Sequence, residues 1–165
     1  VYTNSLTKTF TIRPETMASA VITGCKAKYS YTGKQVKPLI QVVWNGKILR
    51  NNTDYTLLYK NNKKRGSAGI VVTGKGNYSG TLTASFTIVR ASVKKASVTG
   101  LKAVYARTGK AVKPKVTVKL GGKKLKKKRD YILSYRKNKK KGTALLYVKG
   151  VGNYSGTKKM KFKIR

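Results

Sequence analysis

The chain has 165 residues, with 39 Lys plus Arg against 3 Asp plus Glu, a formal net charge of +36, no histidine and one cysteine. That composition excludes an intrachain disulfide and removes the commonest general base and metal ligand; no apolar run is long enough to span a membrane. An excess of cations this large repels itself in the compact state and points to an anionic partner.

In chain order, residues 1–13 are read through the repeat that follows. "LIQVVWNGKIL" (39–49) sets Asn45-Gly46 between two β-prone runs, the strongest short hairpin signal. "DYTLLYKNNKKRGSAGIVVTG" (54–74) reads as two more strands around a polar turn, with Tyr55, Leu57 and Tyr59 on one face and Ala68, Ile70 and Val72 on the other strand's inner face. "GTLTASFTIV" (80–89) closes the series, and Pro38 suits the start of a strand. No segment shows helical periodicity.

The series then repeats. Residues 20–89 align without gaps with 96–165 at an offset of 76, with 35 identities in 70 pairs, among them "TGK.VKP" (32–38, 108–114), "DY" (54–55, 130–131) and "GNYSGT" (76–81, 152–157). The same offset matches Tyr2, Leu6, Phe10 and Ile12 to Tyr78, Leu82, Phe86 and Ile88, so residues 1–13 read as the last strand of an upstream repeat, or as a strand exchanged into the first module. Short strands with turns every 8–12 residues indicate small β-sandwiches. The expected fold is all-β: residues 14–90 and 91–165 as two tandem sandwich modules after that first strand.

The pattern "YSYTGK…VKP…NGK.L…DY…Y.NN…G.A…G.GNYSGT…F.I" resembles the immunoglobulin-like repeats of secreted and surface proteins of Gram-positive bacteria, over nearly the whole chain. The resemblance implies an extracellular module at the cell surface or in a secreted protein, joined to neighbouring domains and serving as a spacer or adhesin stalk. The carboxylates usual in such loops are missing here, which argues against an inert spacer.

Because paired positions share one backbone, the repeat acts as an internal control on the charge. Residues 1–90 hold 14 basic residues and a net +12; residues 91–165 hold 25 and a net +24. Core positions stay apolar, as in Phe86/Phe162 and Ile88/Ile164, while outward ones become basic: Leu39 to Lys115, Val43 to Lys119, Thr73 to Lys149, Ser85 to Lys161 and Thr87 to Lys163. The final strand "KKMKFKIR" should turn Met160, Phe162 and Ile164 inward and Lys159, Lys161, Lys163 and Arg165 outward, with cations spaced roughly 6.5–7 Å apart. The candidate anion-binding residues are Lys124, Lys126, Lys127, Lys128, Arg129, Arg136, Lys137, Lys139, Lys140 and Lys141 in the loops, with Lys159, Lys161 and Lys163 as a flat face. The alternating strand direction is expected to place the 121–123 turn beside the 137–142 loop, with Lys126–Arg129 at the opposite end. A merely solvated face is the plainer reading, but solubility asks for a net charge of only about 2–8 on a small domain.

Catalytic chemistry is not indicated. Asp54 and Asp130 occupy one position in the two repeats and read as acceptors for turn N–H groups; Glu15 stands alone, so no carboxylate pair remains for glycoside hydrolysis or a metal cage. Cys25, matched by Leu101, reads as a small buried hydrophobe. "GKGNYSG" and "GVGNYSG" lie between strands with no following helix, so they read as β-turns and not as nucleotide loops. Twinned tyrosines (29/105, 55/131, 59/135, 78/154) suit packing; of the unpaired aromatics, Trp44 reads as core and Tyr147 as exposed, with Tyr31 unassigned. The expected function is therefore a non-enzymatic, monomeric extracellular module without metal or cofactor that binds an anionic polymer: teichoic acid, an acidic or sulfated glycan, or DNA. A structural stalk is the alternative.

Overall fold

A computed structural model describes residues 7–165. They form strands β1 (Glu15–Thr16), β2 (Val21–Thr23), β3 (Lys28–Ser30), β4 (Gln41–Trp44), β5 (Lys47–Leu49), β6 (Tyr55–Lys60), β7 (Gly66–Gly74), β8 (Tyr78–Ser79) and β9 (Thr81–Val89). The series recurs 76 residues later as β10 (Ala91–Ser92), β11 (Ser97–Thr99), β12 (Val104–Tyr105), β13 (Thr117–Leu120), β14 (Lys123–Lys124), β15 (Tyr131–Arg136), β16 (Gly142–Gly150), β17 (Tyr154–Ser155) and β18 (Thr157–Ile164). One 3₁₀ turn at Val93–Lys95, capped by the Ser92 hydroxyl, interrupts the series, and no α-helix occurs among the described residues. The fold is all-β.

Residues 7–14 form no strand, and Phe10 and Ile12 are 83% and 81% exposed, because neither meets a partner strand in the described residues. Residues 1–6 of the expected first strand lie outside the described residues.

Two compact units divide the chain. Among the described residues, one comprises 7–27, Lys37–Asn62 and Ala68–Phe86; the other comprises Lys28–Val36, Lys63–Ser67 and Thr87–Arg165. In the second unit, a three-stranded sheet of order β11-β13-β14 and a four-stranded sheet of order β12-β18-β16-β15 share one interior. Val98, Val118 and Leu120 from the first sheet pack with Tyr131, Leu133 and Val148 from the second, so the sheets lie face to face as in a sandwich. A second cluster gathers Ala144, Leu146, Phe162 and Ile164, with Met160 and Tyr105 against it. The first repeat has the matching orders β2-β4-β5 and β3-β9-β7-β6.

Local chemistry accounts for the hairpins. Asn45 (φ 46°) and Gly46 (φ 77°) adopt the doubly left-handed turn that suits strand twist, and Gly121 (φ 55°) and Gly122 (φ 77°) repeat it. The glycine-rich runs are turns between strands, as expected. A Cβ on Gly74 would meet Ser79 N at 2.8 Å, and one on Gly150 would meet Ser155 N at 2.7 Å, so only glycine fits where these strands end. The twinned tyrosines are structural: Tyr59 and Tyr135 each donate to a proline carbonyl, Pro38 and Pro114, at 2.8 Å. Pro38 itself is buried three residues ahead of β4.

The parallel pairings were not anticipated. β3 runs parallel to β9 and β12 parallel to β18, while the short β1 and β10 pair in parallel with β8 and β17. Two side chains expected in the core are only half-buried: Cys25, and Trp44, whose indole N–H reaches the Thr16 carbonyl at 3.0 Å at the edge of the packing.

Candidate functional site

The last strand alternates as its sequence requires. Phe162 and Ile164 are buried and Met160 is half-buried, whereas Lys159, Lys161, Lys163 and Arg165 are exposed. Strand pairing then builds a two-dimensional surface from this row. Across β16 and β18, Thr143 faces Lys163, Leu145 faces Lys161, Tyr147 faces Lys159 and Lys149 faces Thr157. Across β15 and β16, Arg136 faces Leu145, Ser134 faces Tyr147 and Ile132 faces Lys149. The outer side of the four-stranded sheet therefore presents Arg136, Lys149, Lys159, Lys161 and Lys163 on one pleated plane. The first repeat has Lys60, Thr73, Thr83, Ser85 and Thr87 at the same places.

The loop between β15 and β16 extends this plane. Lys137, Lys139, Lys140 and Lys141 are exposed and line a shallow depression with Asn138 and Thr143, beside the Lys163 end of the face. Asn138 anchors the loop: its side-chain amide donates to the Val112 carbonyl at 2.9 Å, and its own carbonyl accepts from Val112 N at 2.7 Å.

Lys124, Lys126, Lys127, Lys128 and Arg129 are exposed at the other end of β15, about 17 Å away along five strand steps. The 121–123 turn lies with them, contrary to expectation. Leu120 and Gly121 line one depression with Tyr154, and Lys123 is near enough to Asp130 to act on its carboxylate. The reason is that β14 is only two residues long, so the chain curls back through 125–130 before crossing the module as β15.

Asp130 organises this end. It is 5% exposed; one carboxylate oxygen accepts from Lys126 N at 2.8 Å, and Arg129 binds the carboxylate through Nε at 2.9 Å and Nη2 at 3.0 Å. The Arg129 hydrogen bond, reinforced by the Lys126 N–H, holds the carboxyl below the usual carboxylate range against the opposing effect of burial. Asp54 likewise accepts from Arg50 N at 2.8 Å, the turn role expected of both aspartates. Arg129 is thus partly neutralised, unlike the lysines beside it.

Several relevant residues fall outside the expected set. Lys149 belongs to the cationic plane through its register with Ile132 and Thr157. Lys119 stands directly opposite Lys124. Tyr147 is half-buried on the outer face, with the Arg136 guanidinium 5.8 Å from its ring centroid. Their alternation was legible in sequence; their neighbours were not. Tyr31 packs edge-on against Tyr154 within the second unit, with centroids 5.8 Å apart and planes at 86°. Lys158 turns away from the row, and its ammonium donates to the Ala96 carbonyl at 2.6 Å.

Among the described residues, no three His, Cys, Asp or Glu side chains converge on a point that could hold a metal ion, and no helix is long and apolar enough to cross a membrane. No protein-family model, curated protein or solved structure matches the chain.

Proposed function

We propose that the chain is a pair of tandem immunoglobulin-like modules of a bacterial surface or secreted protein, and that the second repeat binds anionic polymers without catalysing a reaction. The reading is carried by the outer face of the β12-β18-β16-β15 sheet, where five cations share one plane and continue onto the Lys137–Lys141 loop. Binding follows from multivalent contact and counterion release. Lysines serve as flexible point charges that accept phosphate, sulfate or carboxylate alike, which suits teichoic acid or acidic glycans.

Backbone geometry supports the same reading. Lys128 (φ 72°) and Lys137 (φ 55°) occupy left-handed positions where the first repeat uses Asn52 (φ 68°) and Asn61 (φ 54°). Asparagine tolerates that conformation and lysine does not favour it. Cations thus stand where local conformation argues against them.

The test titrates the full chain with heparin, teichoic acid, duplex DNA and a neutral glycan across a salt series. Lys159→Thr, Lys161→Ser and Lys163→Thr together install the residues of the first repeat. With these three changes, the slope of log affinity against log salt for the polyanions should fall by about 2–3. An unchanged slope would remove the face from the binding surface, and polyanion binding no stronger than neutral-glycan binding would leave the stalk as the better description.

A further inference from the structure

The cationic plane contains one feature that charge attraction does not need. Tyr147, Lys149, Ser134, Arg136 and Thr157 line a shallow depression on the outer side of β15, β16 and β18. The first repeat has Val71, Thr73, Leu58, Lys60 and Thr81 at these positions. Four differences therefore fall on one patch: an aliphatic side chain becomes an aromatic ring, a threonine becomes a lysine, a lysine becomes an arginine, and Leu58, 55% exposed, becomes a serine. Arg136 lies 5.8 Å from the Tyr147 ring centroid. Lys159 is the direct cross-strand neighbour of Tyr147, and Ser134 is its neighbour on the other side.

We infer that this depression is a subsite for one ring of an acidic polysaccharide. It rests on the polyanion reading and narrows it. The Tyr147 ring gives the C–H face of a pyranose an apolar surface. Arg136 and Lys159 flank that ring where an attached carboxylate or sulfate would lie, and the Ser134 and Thr157 hydroxyls can exchange hydrogen bonds with sugar hydroxyls. A phosphodiester chain without rings gains nothing from Tyr147. A single-stranded nucleic acid is held by successive bases stacked on successive aromatics, yet Tyr147 is the only aromatic among the outward residues of β15, β16 and β18.

The experiment measures the affinity of the full chain for three probes, a hexagalacturonate, a linear hexaphosphate and the oligonucleotide dT6, at low and high salt. The variants are Tyr147→Val, which the matching position of the first repeat already accommodates, and Tyr147→Phe, which keeps the ring; urea unfolding confirms that both are folded. Tyr147→Val should weaken hexagalacturonate binding about tenfold with an unchanged salt slope. It should leave hexaphosphate unaffected, and Tyr147→Phe should bind hexagalacturonate like the parent. If Tyr147→Val leaves hexagalacturonate affinity intact while the triple lysine exchange weakens every probe, the subsite is refuted and the polyanion reading survives. Loss confined to dT6 would assign the ring to nucleobases and overturn the sugar subsite. If the parent chain binds none of the three, both readings fall.

Discussion

Lys128 and Lys137 show a conflict between charge and conformation within single residues. Both have positive φ, as do the asparagines at the same places in the first repeat. A left-handed conformation costs most L-residues about 1–2 kcal/mol, and asparagine is among the least affected. Lys128→Asn and Lys137→Asn should therefore each stabilise the chain by about 0.5–1 kcal/mol, read from urea unfolding in high salt where charge effects are screened. The same substitutions should weaken polyanion binding. A loss of stability would show that these lysines make favourable contacts that outweigh the backbone term. The pairing of Asn52 with Lys128 and of Asn61 with Lys137 was legible in the alignment; the sign of φ was not, because nothing at those positions is glycine.

At the level of elements, the β13–β14 hairpin sets Lys119 directly against Lys124, where the first repeat pairs Val43 with Ile48. Like charges facing each other across two strands are destabilising. Lys124→Ile restores the apolar partner of the first repeat, where Ile48 is 57% exposed and so needs no buried space. It should stabilise the chain by about 0.5 kcal/mol at low salt, with the gain shrinking as salt rises. A gain independent of salt would trace the effect to strand propensity and not to repulsion. The hairpins were legible because Asn-Gly and Gly-Gly permit few other turns. The parallel pairings of β3 with β9 and β12 with β18 were not, since strands so far apart in the chain leave no mark on each other's local sequence. The two-residue length of β14 was also illegible, and it moved the 121–123 turn to the other end of the module.

For the whole molecule, one ion pair, Arg129–Asp130, is present among the described residues of a chain with net charge +36. Same-face lysines on β18 stand about 7 Å apart, inside a Debye length of about 10 Å at 0.1 M salt. Self-repulsion should therefore be strong at low ionic strength. The thermal midpoint is expected to rise by several degrees as sodium chloride increases, and further with sulfate or a polyanion, which bind or screen the folded surface. A midpoint that stays fixed would mean that the side chains splay far enough to escape one another.

The repeat, the hairpins and the inward residues of β18 can be read directly from the residue order, because a strand alternates with period two and a left-handed turn admits few residue types. The same order shows that the second half carries most of the charge. Which cations share a surface depends on how the strands pack together. Arg136, Tyr147 and Lys159 belong to three different strands, and register across hydrogen-bonded strands is fixed by how the buried side chains of both sheets interlock, a property no single strand contains.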